Sequence, residues 1–132
     1  MFSIIFGIFL ILHGLVHLLY SGQSLRLFEL QPGMTWPDGS WAFAGLLGNE
    51  ATRFLASTLL ILAAIGFVAG GIGIFASQAW WRSTVLGSAA FSAAIFILLW
   101  DGHLQSLANK GLVGILINLV ILIALLVFRW PH

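Results

Sequence analysis

Cysteine is absent and charge nearly so: the 132 residues hold five Lys and Arg, four Asp and Glu, four His and three prolines. The missing cysteine removes disulfides, thiolate metal sites and cysteine nucleophiles together, and leaves the redox compartment unread. At 7% charged residues the chain falls far below the roughly one quarter of a soluble domain, so water is a poor solvent for its surface. No basic run or arginine stripe is present, which excludes nucleic acid as a partner. Nucleophile elbows, phosphate loops, zincin signatures and dinucleotide fingerprints are also missing, so a self-contained enzyme has no positive support.

What is present is apolar surface. Hydrophobic residues make up 61% of the chain and the mean hydropathy is +1.09. Crossing a ~30 Å hydrocarbon core takes about 20 apolar residues in a helix. Four segments qualify: 2–20, 51–76, 80–100 and 112–130. Helices are the solution for an open chain in lipid, because every backbone group must be satisfied internally. The first segment lacks a basic start and a small-residue cleavage site, so it reads as a retained span rather than a signal peptide. The expected fold is one all-α domain over 1–132: a four-transmembrane-helix antiparallel bundle. Trp80, Trp81, Trp100 and Trp130 fall at span ends, where indoles favour the interface.

Residues 21–49 form the one long connection, with two turn signals, Gln31-Pro32-Gly33 and Trp36-Pro37-Asp38-Gly39-Ser40-Trp41. Two amphipathic pieces in it, 24–30 and 40–47, are expected to lie as short interfacial helices. Asn49 is expected to cap the second span, and Glu50 to pair with Arg53 three residues on. The other connections are short, which puts both termini on one side. Arg82 and Arg129 flank that side. Acidic residues offset Arg26, Arg53 and Lys110 on the other, so the termini are expected in the cytoplasm, with the inner membrane of a bacterium as the residence.

Close helix approach in lipid uses small residues at helical spacing. Gly66, Gly70 and Gly73 form such a stripe on the second span, and with Trp36 and Trp41 of the loop they are the expected interface with partner subunits or further copies. Polar residues gather at the loop end. Counted at the helical rise, His13 and Asn118 both sit about 10 Å inside and are candidates for contact. His13 and His17, four apart, share a helix face and are candidate ligands for a metal, with His103 and Asp101 needed to complete the shell. Haem would need His17 and His103 as axial partners. The alternative is that these histidines only hydrogen-bond within the bundle. A chamber lined by His13, His17, Tyr20, Asp101 and Asn118 would also suit an amphipathic ligand. No cofactor is favoured over none.

At HGLVHLLY (13–20), LLWDGHLQ (98–105) and GILINLVIL (114–122) the chain resembles small bacterial four-helix membrane proteins of the DoxX-like kind. Members with an assigned role are similar to quinone-linked or redox-associated subunits, and the resemblance implies work with partners. It carries over no catalytic residue, and the long WPDGSW loop departs from it. The expectation is a non-catalytic structural or accessory membrane subunit, with a metal-, haem- or amphipathic-ligand-binding bundle as the alternative.

Overall fold

Long runs without proline or charge fold as helices here. The computed structural model describes residues 2–30, 32–102 and 112–129. Its helices are α1 (Phe2–Ser24), the single turn α2 (Ala44–Leu47), α3 (Asn49–Phe75), α4 (Trp81–Leu99) and α5 (Leu112–Leu126). The chain is all-helical among the described residues, and α1, α3 and α4 are long and apolar enough to cross a membrane. The described part of α5 is shorter, at 15 residues.

The helix ends differ from expectation for local reasons. α1 runs a turn past Tyr20 because its last turn is held by α3: Ser21 Oγ meets Ser57 Oγ at 2.6 Å, and Ser24 Oγ donates to the Arg53 carbonyl at 2.6 Å. It then stops abruptly. Arg26 takes a left-handed φ of 62°, and the Leu27 and Arg26 amides turn back to the carbonyls of Gly22 and Gln23, a Schellman cap. That cap replaces the interfacial helix expected over 24–30; of the two expected, only the turn α2 forms, inside 40–47. α3 ends in the same way, with Ser77 at φ 55° and the Gln78 amide on the Gly73 carbonyl at 2.9 Å. Asn49 does not cap its helix. Gly48 holds that position, and the Asn49 side chain accepts the Gly39 amide of the loop at 2.9 Å.

α1 packs along α3, α3 against α4, and α4 against α5. Gly71 is where the first contact is closest: a Cβ there would lie 2.7 Å from the Gly7 carbonyl oxygen. Two apolar clusters fill the interior. One, toward the chain termini, joins Phe6, Leu10, Phe67, Val85, Ile121 and Leu125. The other, beneath the loop, joins Met34, Trp36, Leu60, Ile95, Phe96 and Leu99 with neighbouring alanines.

Candidate functional site: a buried hydrogen-bond chain under a stapled loop

Between the two clusters lies a polar chain drawn from three helices. His13 Nε2 is 2.9 Å from Asn118 Oδ1, Asn118 Nδ2 is 2.9 Å from Ser92 Oγ, Ser92 Oγ is 2.6 Å from His17 Nε2, and His17 Nδ1 is 2.8 Å from the His13 carbonyl oxygen. All four side chains are buried. With both imidazoles neutral, one set of proton positions satisfies every link. A carbonyl can only accept, so His17 carries its proton on Nδ1 and its Nε2 must accept from the Ser92 hydroxyl. Ser92 Oγ then accepts from the Asn118 amide. That orients the amide, and Asn118 Oδ1 accepts from His13 Nε2–H. The chain is directional from His13 to His17.

This geometry separates the residues expected to form one chamber. His13, His17 and Asn118 belong together. Tyr20 stands above them in an aromatic layer, edge-on to Trp36 and Phe96 at centroid distances of 5.7 and 5.0 Å. Asp101 follows the end of α4, nine residues beyond Ser92 or roughly 13 Å at the helical rise, where its Cβ faces the Gly39 position of the loop. His103 lies outside the described residues. The histidine rings sit edge to face at 4.9 Å, and three of their four nitrogens are in hydrogen bonds within the protein. Among the described residues no group of three His, Asp or Glu side chains could hold a metal.

The glycines of the expected partner interface lie against the chain's own α4. Gly66 faces Ser88, Gly70 faces Val85, and Gly73 faces Trp80 and Trp81. Trp36 is fully buried, stacked on Phe96 at 6.2 Å. Trp41 is exposed, its indole N–H donating to the Ile97 carbonyl at 2.6 Å.

Two further residues organise the loop. Gln23, fully buried, donates to the Met34 and Trp36 carbonyls at 3.1 and 3.2 Å and accepts the Leu30 amide at 2.8 Å. Asp38 receives Arg53 through two hydrogen bonds of 2.6 Å, and Arg26 at 3.0 Å. Arg53 therefore takes a loop carboxylate rather than the expected Glu50. Arg26 also donates to the Gln23, Thr35 and Trp36 carbonyls. The Arg53 hydrogen bonds hold the Asp38 carboxyl below its ordinary value of 3.8, against an opposing pull from burial.

These features define a helical protein with three helices of membrane-crossing length and apolarity. Comparisons with protein-family models, curated proteins and solved structures returned no match.

Proposed function

We propose that the chain is an integral membrane protein of four spans in an antiparallel bundle, serving as a non-catalytic structural or accessory subunit. The observation that carries this reading is the inversion of α1. Its exposed side chains include Ile4, Ile8, Leu12, Leu15 and Leu19, while its buried face, apolar at Phe6 and Leu10, carries His13, His17, Ser21 and Ser24 over its second half. A helix facing water does the reverse. The antiparallel assignment rests on the register of contacts: Gly7 meets Gly71, Gly14 meets Ala64, Ser21 meets Ser57 and Ser24 meets Arg53. A structural role for the polar chain is supported by its closure, since the links from His13 through Asn118 and Ser92 to His17 return to the His13 carbonyl and engage three of the four imidazole nitrogens.

With Gly66, Gly70 and Gly73 of α3 committed to α4 and Gly71 to α1, a face open to a partner is a shallow apolar groove of about 360 Å³ between α1 and α3. Ala64 and Ala69 line it with Leu15, Leu18, Ile61 and Ile72. Such an apolar groove, with two alanines among its larger lining residues, suits the side chains of a transmembrane helix of another subunit or copy. In the sequence Arg82 and Arg129 stand against Arg26, Arg53 and Lys110, a near-even count; the reading with termini in the cytoplasm draws on the pairing of Arg26 and Arg53 with Asp38, and the resemblance in sequence supports a bacterial inner membrane. Native mass spectrometry from lipid nanodiscs tests the subunit reading. The wild type is expected in a stoichiometric assembly that Ala69→Trp disperses. A wild type that is a lone monomer after extraction under mild conditions would overturn it.

The ligand-binding alternative draws on one observation: Trp36 Nε1 is buried without a hydrogen-bond partner. Its metal and haem forms predict a stoichiometric metal or a Soret band in the purified protein, and absence of both removes them.

A further inference from the structure

The long connection ends in a set of large apolar side chains that face outward. Leu27 is 73% exposed, Trp41 61%, Leu46 84% and Phe54 72%. A loop folded for water would turn such residues in. Three of its charges pair with one another instead: Asp38 gathers Arg26 and Arg53, and Arg26 covers three backbone carbonyls, while Glu29 and Glu50 stay exposed. Its backbone is ordered by the buried Gln23. The outward apolar residues thus sit on a rigid support.

Their depth identifies what they face. Twenty residues of α1, from 2 to 21, span about 30 Å at the helical rise, the thickness of a hydrocarbon core. Ser21, bonded to Ser57, therefore marks its edge on the loop side. Phe54 is three residues beyond Ser57 on α3, about 4.5 Å farther out. The layer between hydrocarbon and water is some 5–8 Å deep on each side, so Phe54 falls within it, and Leu27 follows directly on the capped end of α1. At 27 residues α3 spans roughly 40 Å, more than the core. Gly48, at φ 82°, breaks it from α2, which frees Leu46 from continuing along the axis into water. Trp41 is pinned to the last turns of α4 beside the exposed Ile97, the position in which an indole favours the headgroup boundary.

We propose that the loop, α2 and the first turns of α3 form a collar seated in the lipid headgroup layer, with Leu27, Trp41, Leu46 and Phe54 inserted at the acyl boundary. The occupant of this surface is lipid rather than a protein partner. The proposal rests on the membrane reading above and adds that this connection is part of the embedded body.

The cysteine-free chain permits single spin labels in proteoliposomes. Labels on Leu27→Cys, Leu46→Cys and Phe54→Cys are compared with labels on Leu12→Cys and Val120→Cys, both on outward span faces and outside the partner groove. Collar labels are expected to collide several-fold more with oxygen than with a water-soluble nickel complex, at depths shallower than Leu12 and Val120. If they follow aqueous nickel while Leu12 and Val120 remain in lipid, the collar is wrong and the membrane reading stands. Shielding from both reagents at all three sites would assign the surface to a second copy and overturn the lipid occupant. Aqueous exposure of Leu12 and Val120 would overturn the membrane reading itself. Use of three exposed sites keeps the result from resting on one misfolded variant.

Discussion

The two halves of the interior are held by different means. Toward the termini the helices meet through apolar side chains and bare glycine backbone; from mid-depth toward the loop, directional hydrogen bonds are added to a second apolar cluster. In lipid, apolar burial drives helices together weakly, because the acyl chains are as apolar as the side chains. Close approach then fixes how near two helices lie, since dispersion falls off steeply with separation. It says little about which helix belongs where. The chain from His13 through Asn118 and Ser92 to His17 supplies that information, because its donors and acceptors on α1, α4 and α5 satisfy one another in this arrangement.

The largest effect should come from the glycine half. A side chain at Gly71 would press on the Gly7 carbonyl and on Ile11 Cγ1, both 2.7 Å from the added Cβ. Backbone cannot rotate aside, so Gly71→Leu should cost about 3 kcal/mol or more, the upper end for overpacking, read by unfolding in mixed micelles. Gly87, on α4, offers the contrast. A Cβ there meets nothing within 4 Å, and Gly87→Ala should stabilise by about 0.4–1 kcal/mol through the unfolded chain. If both changes had the same sign, close approach would not be what holds this half.

The polar half should respond less in energy and more in structure. Asn118→Leu leaves the His13 Nε2–H and the Ser92 hydroxyl oxygen without their partner, for about 1–3 kcal/mol. A double-mutant cycle with His13→Leu should recover roughly 0.6–1.7 kcal/mol of coupling, from the average to the maximum for hydrogen bonds between membrane helices. The sharper readout is tautomeric. Nitrogen-15 shifts should report Nε2–H at His13 and Nδ1–H at His17 in the native protein. Loss of Asn118 should blur the first and leave the second, whose carbonyl acceptor is on α1 itself. Equal mixtures in the native protein would contradict a directional chain.

What the sequence could and could not disclose follows the same division. Apolar runs free of proline disclose the long helices, and depth counting alone brings His13 level with Asn118. Helix ends were hidden because Arg26 and Ser77, rather than glycine, take the left-handed cap positions. Ser92 was hidden among other serines and alanines of α4; its role depends on helix rotation, which composition does not encode. Gln23 lies in the stretch whose composition reads as loop, yet it sits on the last turn of α1 as the hub that orders that loop. Glu50 and Arg53 obey the local spacing rule for an ion pair, but Asp38 offers Arg53 two parallel hydrogen bonds across the loop, and fork geometry outcompetes proximity in sequence. Metal ligation depended on which imidazole nitrogens were already engaged, and only tertiary structure decides that.

The smallest destabilisation should be at the staple itself. Asp38 and Arg53 keep some contact with solvent, at 18% and 33% of their side-chain surface, so screening limits the pair to about 1 kcal/mol despite its two-pronged geometry. The folded carboxyl titrates below the ordinary 3.8. Protons therefore bind the unfolded chain first as pH falls, and the contribution is complete above about pH 4 and lost as pH drops through the folded value. Asp38→Asn should lower stability slightly at neutral pH, flatten the acid limb of the stability curve, and leave the histidine tautomers unchanged. The last point bears on the division between the regions: the staple orders the loop from outside the aromatic layer, whereas the buried chain is fixed by helices. Should Asp38→Asn scramble the His13 or His17 tautomer, the loop and the polar chain would be one cooperative unit, and the boundary at Trp36, Tyr20 and Phe96 would have to be abandoned.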